Sequence, residues 1–423
     1  MTSVLGASLP NRWGASRLKH MTCLLNRGSA PNYVDNGPVR AISQAANQSA
    51  GLDWSRTRFH NYDGNATKLK GYLRQEDVLI NSTGTGTLGR VGFFTGAPDD
   101  IPCMADSHVT IARTKSDELH PRFAYYWLGS QPFQEYVYAA LAVGATNQIE
   151  LNRESLGDAP VPVPPLEEQR RIADFLDAET ASIDSLDTTR SAQLNLLAAR
   201  ERAMLDLSFR EARSATPTRL KYLFSVRPRY GVLVPVFTDE GVPFIRVNDL
   251  LDLEGRADGL RNIPSELSAQ YARSVVQPGD LLMSVVGTLG RAAIAPASLD
   301  GANIARAVCS MRFVPEVEVE LVKSWLGTSA FHQQALVATS TDTAQPTLGM
   351  EDLGNFALTW PSDPKERKHL VREITRIQDS MRRLSSNLER QKSVLAERRQ
   401  ALIIAAVTGQ IDVSTASGRG IEE

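Results

Sequence analysis

Residues 84–89 read Gly-Thr-Gly-Thr-Leu-Gly, the GxGxxG spacing with which backbone amides at a helix start cradle a pyrophosphate. That chemistry needs a strand before the glycines and a helix after them. Here Arg90-Val91-Gly92-Phe93-Phe94 follows, a run that predicts another strand. A second copy of the loop, Gly287-Thr288-Leu289-Gly290-Arg291, has Val285 where Gly84 would stand, so the loop does not need that glycine. The expectation is a tight turn between strands. Other spacings that carry chemistry are missing from the sequence: it has no GxxxxGK[ST] phosphate loop, no HExxH and no Asn-Pro-Pro-aromatic motif. The 6 histidines form no ligand-spaced cluster, and Cys23, Cys103 and Cys309 lie far apart with no CxxC. No catalytic residue, cofactor or metal site is expected.

Polar side chains stand on the loops that recur. Thr85, Thr87 and Arg90 stand on the first loop and Thr288 and Arg291 on its copy, with Asn147, Gln148 and Gln345 on a second loop of each copy. The shared Gly-Thr-Leu-Gly-Arg is expected to shape the turn, while the unshared stretches 47–63 and 227–239 hold Arg56, Arg58, Arg227 and Arg229.

These residues recur because the chain repeats itself. Arg17-Leu18-Lys19 returns as Arg219-Leu220-Lys221. Trp127-Leu128-Gly129-Ser130 with Phe133 returns as Trp325-Leu326-Gly327-Thr328 with Phe331. Gln148, Leu151, Leu156 and Gly157 return as Gln345, Leu348, Leu353 and Gly354. Four matches, in one order and at slowly drifting offset, indicate a duplication. Each copy begins with about 150 residues of short apolar runs between Gly and Pro, which predicts short strands and turns. It closes on prolines (Pro160, Pro162, Pro164 and Pro165; Pro361 and Pro364) and continues into about 40 residues nearly free of Gly and Pro, a helix of about 60 Å. In the second helix Leu370, Ile374, Ile377, Met381, Leu384, Leu388, Gln391, Leu395, Arg398 and Leu402 alternate at spacings of four and three. Ile172, Leu176, Ile183, Leu186, Leu194, Leu197 and Met204 form a looser stripe in the first. Residues 167–213 hold 7 basic and 10 acidic residues and residues 365–400 hold 11 and 5, so the two rods can pair by charge and apolar seam. Packing of each rod on its own unit and homodimerisation through one rod are the alternatives. The expected division is 1–160, 161–213, 214–361, 362–411 and a tail at 412–423.

Composition bounds the function class. With 42% hydrophobic and 22% charged residues, the 423-residue chain can bury real cores. A net charge of −2 excludes a polybasic protein whose DNA binding could be read from charge alone. No signal peptide is evident, and the apolar run 401–407 is too short to span a membrane. A soluble cytoplasmic protein with no membrane partner is expected.

Pro164-Pro165-Leu166-Glu167-Glu168-Gln169-Arg170-Arg171-Ile172 resembles the proline-Leu-x-Glu-Gln-x-x-Ile start of the conserved helix in specificity (S) subunits of Type I restriction–modification systems. Residues 174–184, both Gly-Thr-Leu-Gly-Arg loops, Thr146-Asn147-Gln148, Ala344-Gln345 and residues 402–411 agree with that family, so the likeness spans nearly the whole chain. It implies a mixed α/β (α+β) fold with two repeated target recognition domains, joined and separated by two long helices in an antiparallel coiled coil. It further implies a non-catalytic subunit that binds a bipartite double-stranded DNA site and scaffolds two methyltransferase (M) subunits and restriction (R) subunits. In such a subunit the polar loop side chains named above would meet base edges or phosphates; the shared loops, which cannot read different bases, would hold phosphate or shape the turn, and the unshared stretches would suit specificity better. A coiled-coil scaffold whose duplicated domains bind protein is the alternative. The second copy departs at Pro364-Lys365-Glu366-Arg367, where glutamine is lost, so contacts at that junction are expected to differ.

Overall fold

The computed structural model describes residues 3–84, 86–143, 149–340 and 346–413. It divides into unit 1, residues 1–189 with 390–423, and unit 2, residues 190–389.

In unit 1 the short apolar runs become strands: β1 (Gly14–Arg17), β2 (Thr22–Arg27), β3 (Tyr33–Val34), β4 (Val39–Ile42), β5 (Arg58–His60), β6 (Val78–Asn81), β7 (Val91–Phe93), β8 (Cys103–Ala105), β9 (Val109–Thr114) and β10 (Pro160–Val163). One antiparallel sheet runs β7-β6-β9-β2, and a second runs β8-β4-β5-β3 with β8 parallel to β4. Strand β6 is buried along its whole length because both its faces are covered. Val78 and Ile80 meet Phe123 and Trp127 of α1 (Pro121–Gly129), while Leu79 meets Ile42, Cys103 and Ile111 toward the second sheet. A short helix, α2 (Gln131–Tyr136), follows.

Unit 2 repeats the plan. Strands β12 (Phe224–Tyr230), β18 (Val308–Phe313), β15 (Leu281–Ser284) and β16 (Ala292–Ile294) form the first sheet in that order. Strands β14 (Arg261–Ile263), β13 (Val242–Ile245) and β17 (Asn303–Ile304) form the second. β11 (Ala215–Arg219) pairs with β19 (Ala357–Pro361) as β1 pairs with β10. Helices α4 (Val319–Trp325) and α5 (Ser329–Ala338) take the places of α1 and α2. Even the crossings match: a Cβ on Gly28 would collide with the carbonyl of Ala105, and one on Gly231 with that of Ile304, so the chain leaves its first sheet at a glycine in both copies. An Asp–Arg fork is duplicated as well. Arg113 grips buried Asp77 through Nε and Nη2 at 2.7 Å each, and Arg312 grips Asp280 at the same two distances.

Two long helices complete the chain, α3 (Leu166–Glu211) and α6 (Pro364–Val407). Unit 1's core takes Ile172 and Leu176 from the start of α3 with Ile403, Ala406 and Val407 from the end of α6. Unit 2's core takes Leu205 and Phe209 from the end of α3 with Leu370 and Ile374 from the start of α6. The helices therefore run antiparallel, and their opposite charges meet: within unit 1, Arg399 lies 3.3 Å from Asp184 and Lys392 3.7 Å from Asp187. The mixed α/β architecture and the long helices are as expected. The seam is not uniform, however. Leu186 in unit 1 is 43% exposed and Leu384 in unit 2 is 46% exposed, because a helix with a single neighbour leaves half of each seam side chain open. Ile183 and Met381 stay buried further along the helices, and at the helix ends a domain core closes over the stripe. Among the described residues no helix is long and apolar enough to cross a membrane.

The departure at the second helix start has a structural answer. Buried Gln169 accepts from the His120 amide at 2.7 Å and donates to the carbonyls of Pro164 (2.8 Å) and Glu118 (3.1 Å), tying α3 to the strand before it and to the loop before α1. Arg367 performs the same tie in unit 2, donating to the carbonyls of Pro361 (3.0 Å), Ser362 (3.1 Å) and Glu316 (3.0 Å) and to the Glu318 carboxylate (2.5 Å).

Candidate nucleic-acid interface

The Gly-Thr-Leu-Gly-Arg loop of unit 1 connects β6 to β7, so a strand follows the glycines and the dinucleotide reading fails. Gly84, Gly86 and Gly89 have φ of 98°, 81° and 78°, the left-handed region the turn requires. Thr87 Oγ1 donates inward to the Thr83 carbonyl at 3.1 Å. Arg90 donates to the Asn47 carbonyl at 3.3 Å and to Gln48 Oε1 at 3.0 Å. Gln134 of α2 and Tyr138 clamp the loop from behind through the carbonyls of Gly89 (2.9 Å) and Leu88 (3.2 Å). Thr87, Arg90, Tyr126 and Tyr138 line a cleft of about 340 Å³ with Arg399 at its edge.

Unit 2's loop is shorter by two residues. Val285 occupies the place of Ser82, not of Gly84: both amides donate across to the neighbouring strand, to Ala307 (2.9 Å) and His108 (2.8 Å), and both carbonyls accept from a leucine amide, Leu348 (2.8 Å) and Leu151 (2.9 Å). Gly84 thus has no counterpart at all. Gly287 and Gly290 keep the positive φ of Gly86 and Gly89. Ser284 Oγ donates to the Thr288 carbonyl and accepts from the Arg291 amide, while the Thr288 side chain is exposed. The Arg291 guanidinium is half-buried and has no side-chain partner among the described residues.

On the short turn before β5, Arg56 pairs with Asp53 at 2.9 Å, and on β5 of the second sheet Arg58 lies 4.0 Å over the Tyr33 ring. Tyr33 also reaches Asp106 at 3.4 Å, and burial pushes both the Tyr33 phenol and the Asp106 carboxyl up from their usual values. In unit 2, β12 slips register on both sides of Val226, which buries Pro228 and turns Arg227 and Arg229 outward. Neither guanidinium has a partner among the described residues. Thr85, Asn147, Gln148 and Gln345 lie outside the described residues. Burial raises the thiols of Cys103 and Cys309 to about 12, leaving both as apolar filling.

Two arginines escaped the sequence reading. Arg261 is the counterpart of Arg58: Arg58 pairs in register with Ala41 and Arg261 with Phe244, and Arg261 lies 4.9 Å over Phe237 as Arg58 lies over Tyr33. Arg306 is exposed beside them, its amide donating to the Val232 carbonyl at 2.9 Å. The drifting sequence offset passes Arg261 by, and only the strand pairing aligns it with Arg58.

Duplicated α/β domains, each carrying outward arginines beside a glycine-built loop, and two long antiparallel helices define a class of modular recognition protein. Residues 29–196 match the Type I restriction modification DNA specificity domain. Over 385 residues the chain is 27% identical to the type I restriction enzyme EcoBI specificity subunit of Escherichia coli, covering 80% of this chain and 78% of that one. A chain solved in work on complex assembly and conformational transition of the type I R-M system shares the fold, with a TM-score of 0.67 at 18% identity over 96% of this chain and 100% of the other. Residues 29–196 thus carry a match to a DNA specificity domain, and the chain as a whole is similar to specificity subunits of Type I restriction–modification systems.

Proposed function

We propose that the two repeated domains, 1–160 and 214–361, each read one half of a bipartite double-stranded DNA site. The conserved helical regions 161–213 and 362–411 join the two and offer a duplicated scaffold to two methyltransferase subunits and to restriction subunits, in the cytoplasm. The observation that carries this reading is the register-level repetition of one α/β domain, down to an arginine on an aromatic ring. A subunit that presents the same surface twice suits a target with two halves and a partner in two copies. Candidate DNA contacts are Arg56, Arg58, Thr85, Thr87, Arg90, Asn147 and Gln148 in the first copy and Arg227, Arg229, Thr288, Arg291 and Gln345 in the second. With a net charge of −2, partner subunits would supply much of the phosphate neutralisation. The test replaces residues 17–160 with the matching domain of a relative and maps methylated sites in cells that also carry the cognate methyltransferase. One half of the methylated sequence should change and the other should stay. Changes in both halves refute the modular reading. Salt-dependent binding to a bipartite duplex separates it from a scaffold that binds only protein.

A further inference from the structure

In both copies a segment links the crossing glycine to the aromatic ring under the arginine. In unit 1 it reads Ser29-Ala30-Pro31-Asn32, between Gly28 and Tyr33. In unit 2 it reads Val232-Leu233-Val234-Pro235-Val236, between Gly231 and Phe237. The first is small, with Ala30 and Pro31 between polar Ser29 and Asn32. The second holds three exposed branched apolar side chains, with Leu233 52%, Val234 70% and Val236 59% exposed.

The unit 2 segment is fixed at both ends. The Val232 amide donates to the Ile304 carbonyl at 2.7 Å, and the Thr238 amide donates to the Asn262 carbonyl at 3.1 Å. Phe237 packs edge-on against buried Phe244, with ring centroids 5.9 Å apart, and carries the Arg261 guanidinium on its face. Proline at 235 stiffens the tip. A held, water-facing apolar ridge marks a contact surface rather than a core. Its surroundings select the partner. Arg306, whose amide donates to the Val232 carbonyl, and Arg229, two residues before Gly231, stand exposed beside its base, with Arg227 exposed further back on β12; none has a side-chain partner among the described residues, and Asp239 and Glu240 follow on the turn beyond. Cations beside an apolar tip suit a duplex, whose phosphates flank a major groove in which thymine alone presents a methyl group.

We propose that the ridge at Leu233, Val234 and Val236 reads thymine 5-methyl groups in the half-site of unit 2, with Arg227, Arg229 and Arg306 on the flanking phosphates. The segment 29–32, with no branched apolar side chain, gives unit 1 no such ridge. This rests on the DNA-reading function proposed above.

The test uses the full chain assembled with its methyltransferase subunits. After methylation mapping has given the site, duplexes carry deoxyuridine in place of each thymine of unit 2's half in turn, a change that removes only the methyl. At one or more positions the replacement should weaken binding about four- to tenfold, the worth of one or two buried carbons. The variant Leu233→Ala/Val234→Ser/Val236→Asn, which carries side chains like those of unit 1, should bind thymine and deoxyuridine duplexes alike. Equal affinity of the unaltered chain for every deoxyuridine duplex overturns the proposal, as does a unit 2 half-site without an A·T pair. A variant that keeps thymine discrimination but loses its methyltransferase subunits also overturns it, and marks the ridge as a protein contact. Failure of the complex to bind any bipartite duplex would overturn the DNA-reading function itself, a result distinct from these.

Discussion

Replacing Gln169 with leucine removes the tie between α3 and unit 1 at nearly constant volume. Three hydrogen bonds go, leaving the His120 amide and the Pro164 and Glu118 carbonyls without the side chain that served them. An unserved buried polar group costs about 1–3 kcal/mol. The Pro164 carbonyl is buried with its bond and takes the upper part of that range; the other two are only partly enclosed and take the lower. Leucine returns about 1 kcal/mol by burial, so the net loss should be about 3 kcal/mol. The second junction supplies the control. Arg367→Leu deserts three carbonyls and leaves the Glu318 carboxylate, 17% exposed, without its partner, and should cost about as much. Arg367→Gln restores the side chain of the first copy, which can still reach two carbonyls as Gln169 does, and should cost only about 1 kcal/mol. Amide hydrogen exchange at residues 166–176 and 364–374 reads each junction separately, which global melting of a two-unit chain does not. A loss of about 3 kcal/mol appears as exchange faster by roughly 100-fold. If Arg367→Gln accelerates exchange as much as Arg367→Leu, the two side chains do not do one job, and the reasoning fails.

The duplicated Asp–Arg forks should answer to burial. Asp77→Ala leaves Arg113, 19% exposed, and should cost about 3 kcal/mol, whereas Asp280→Ala leaves Arg312, 34% exposed and better hydrated, and should cost about 2 kcal/mol; exchange in β6 and β15 checks the order. Burial lowers the imidazoles of His120 and His332 from their usual value, so below about pH 6.5 the unfolded chain takes up protons before the folded one and stability falls with falling pH. The double variant His120→Phe/His332→Phe should lose less stability between pH 7 and 5.5 in denaturant titrations than the parent, and an unchanged slope would refute the assignment.

The sequence disclosed whatever depends on composition or on copying. Two stretches without Gly and Pro had to be helices, and four motifs in one order had to be a duplication. The strand-forming run Arg90-Val91-Gly92-Phe93-Phe94 already excluded a nucleotide loop, and the strand Val91–Phe93 is there. It concealed what depends on register. Sequence offset set Val285 opposite Gly84, yet hydrogen bonding sets it opposite Ser82, because a two-residue shortening inside the loop shifts everything before it and nothing after it. It also concealed what depends on function exchanged between unlike residues. Glutamine and arginine share little as letters, but each is long, planar at its end and rich in donors, and each can staple a helix start to the carbonyls of a strand. Arg261 stayed hidden for a related reason: its ring partner, Phe237, lies in a segment whose length and character differ between the copies, so only the strand pairing of Arg58 and Arg261 aligns them.

That difference has a physical logic. At Asp77 and Asp280 the copies keep both the identity and the geometry of a residue that holds the fold. At the solvent-facing segments 29–32 and 232–236 the copies keep the anchors and change the tips. If the two domains read unlike half-sites, as proposed, variation has to fall on that boundary, because altering an anchor would cost stability in its own unit while altering a tip would cost nothing until a base meets it.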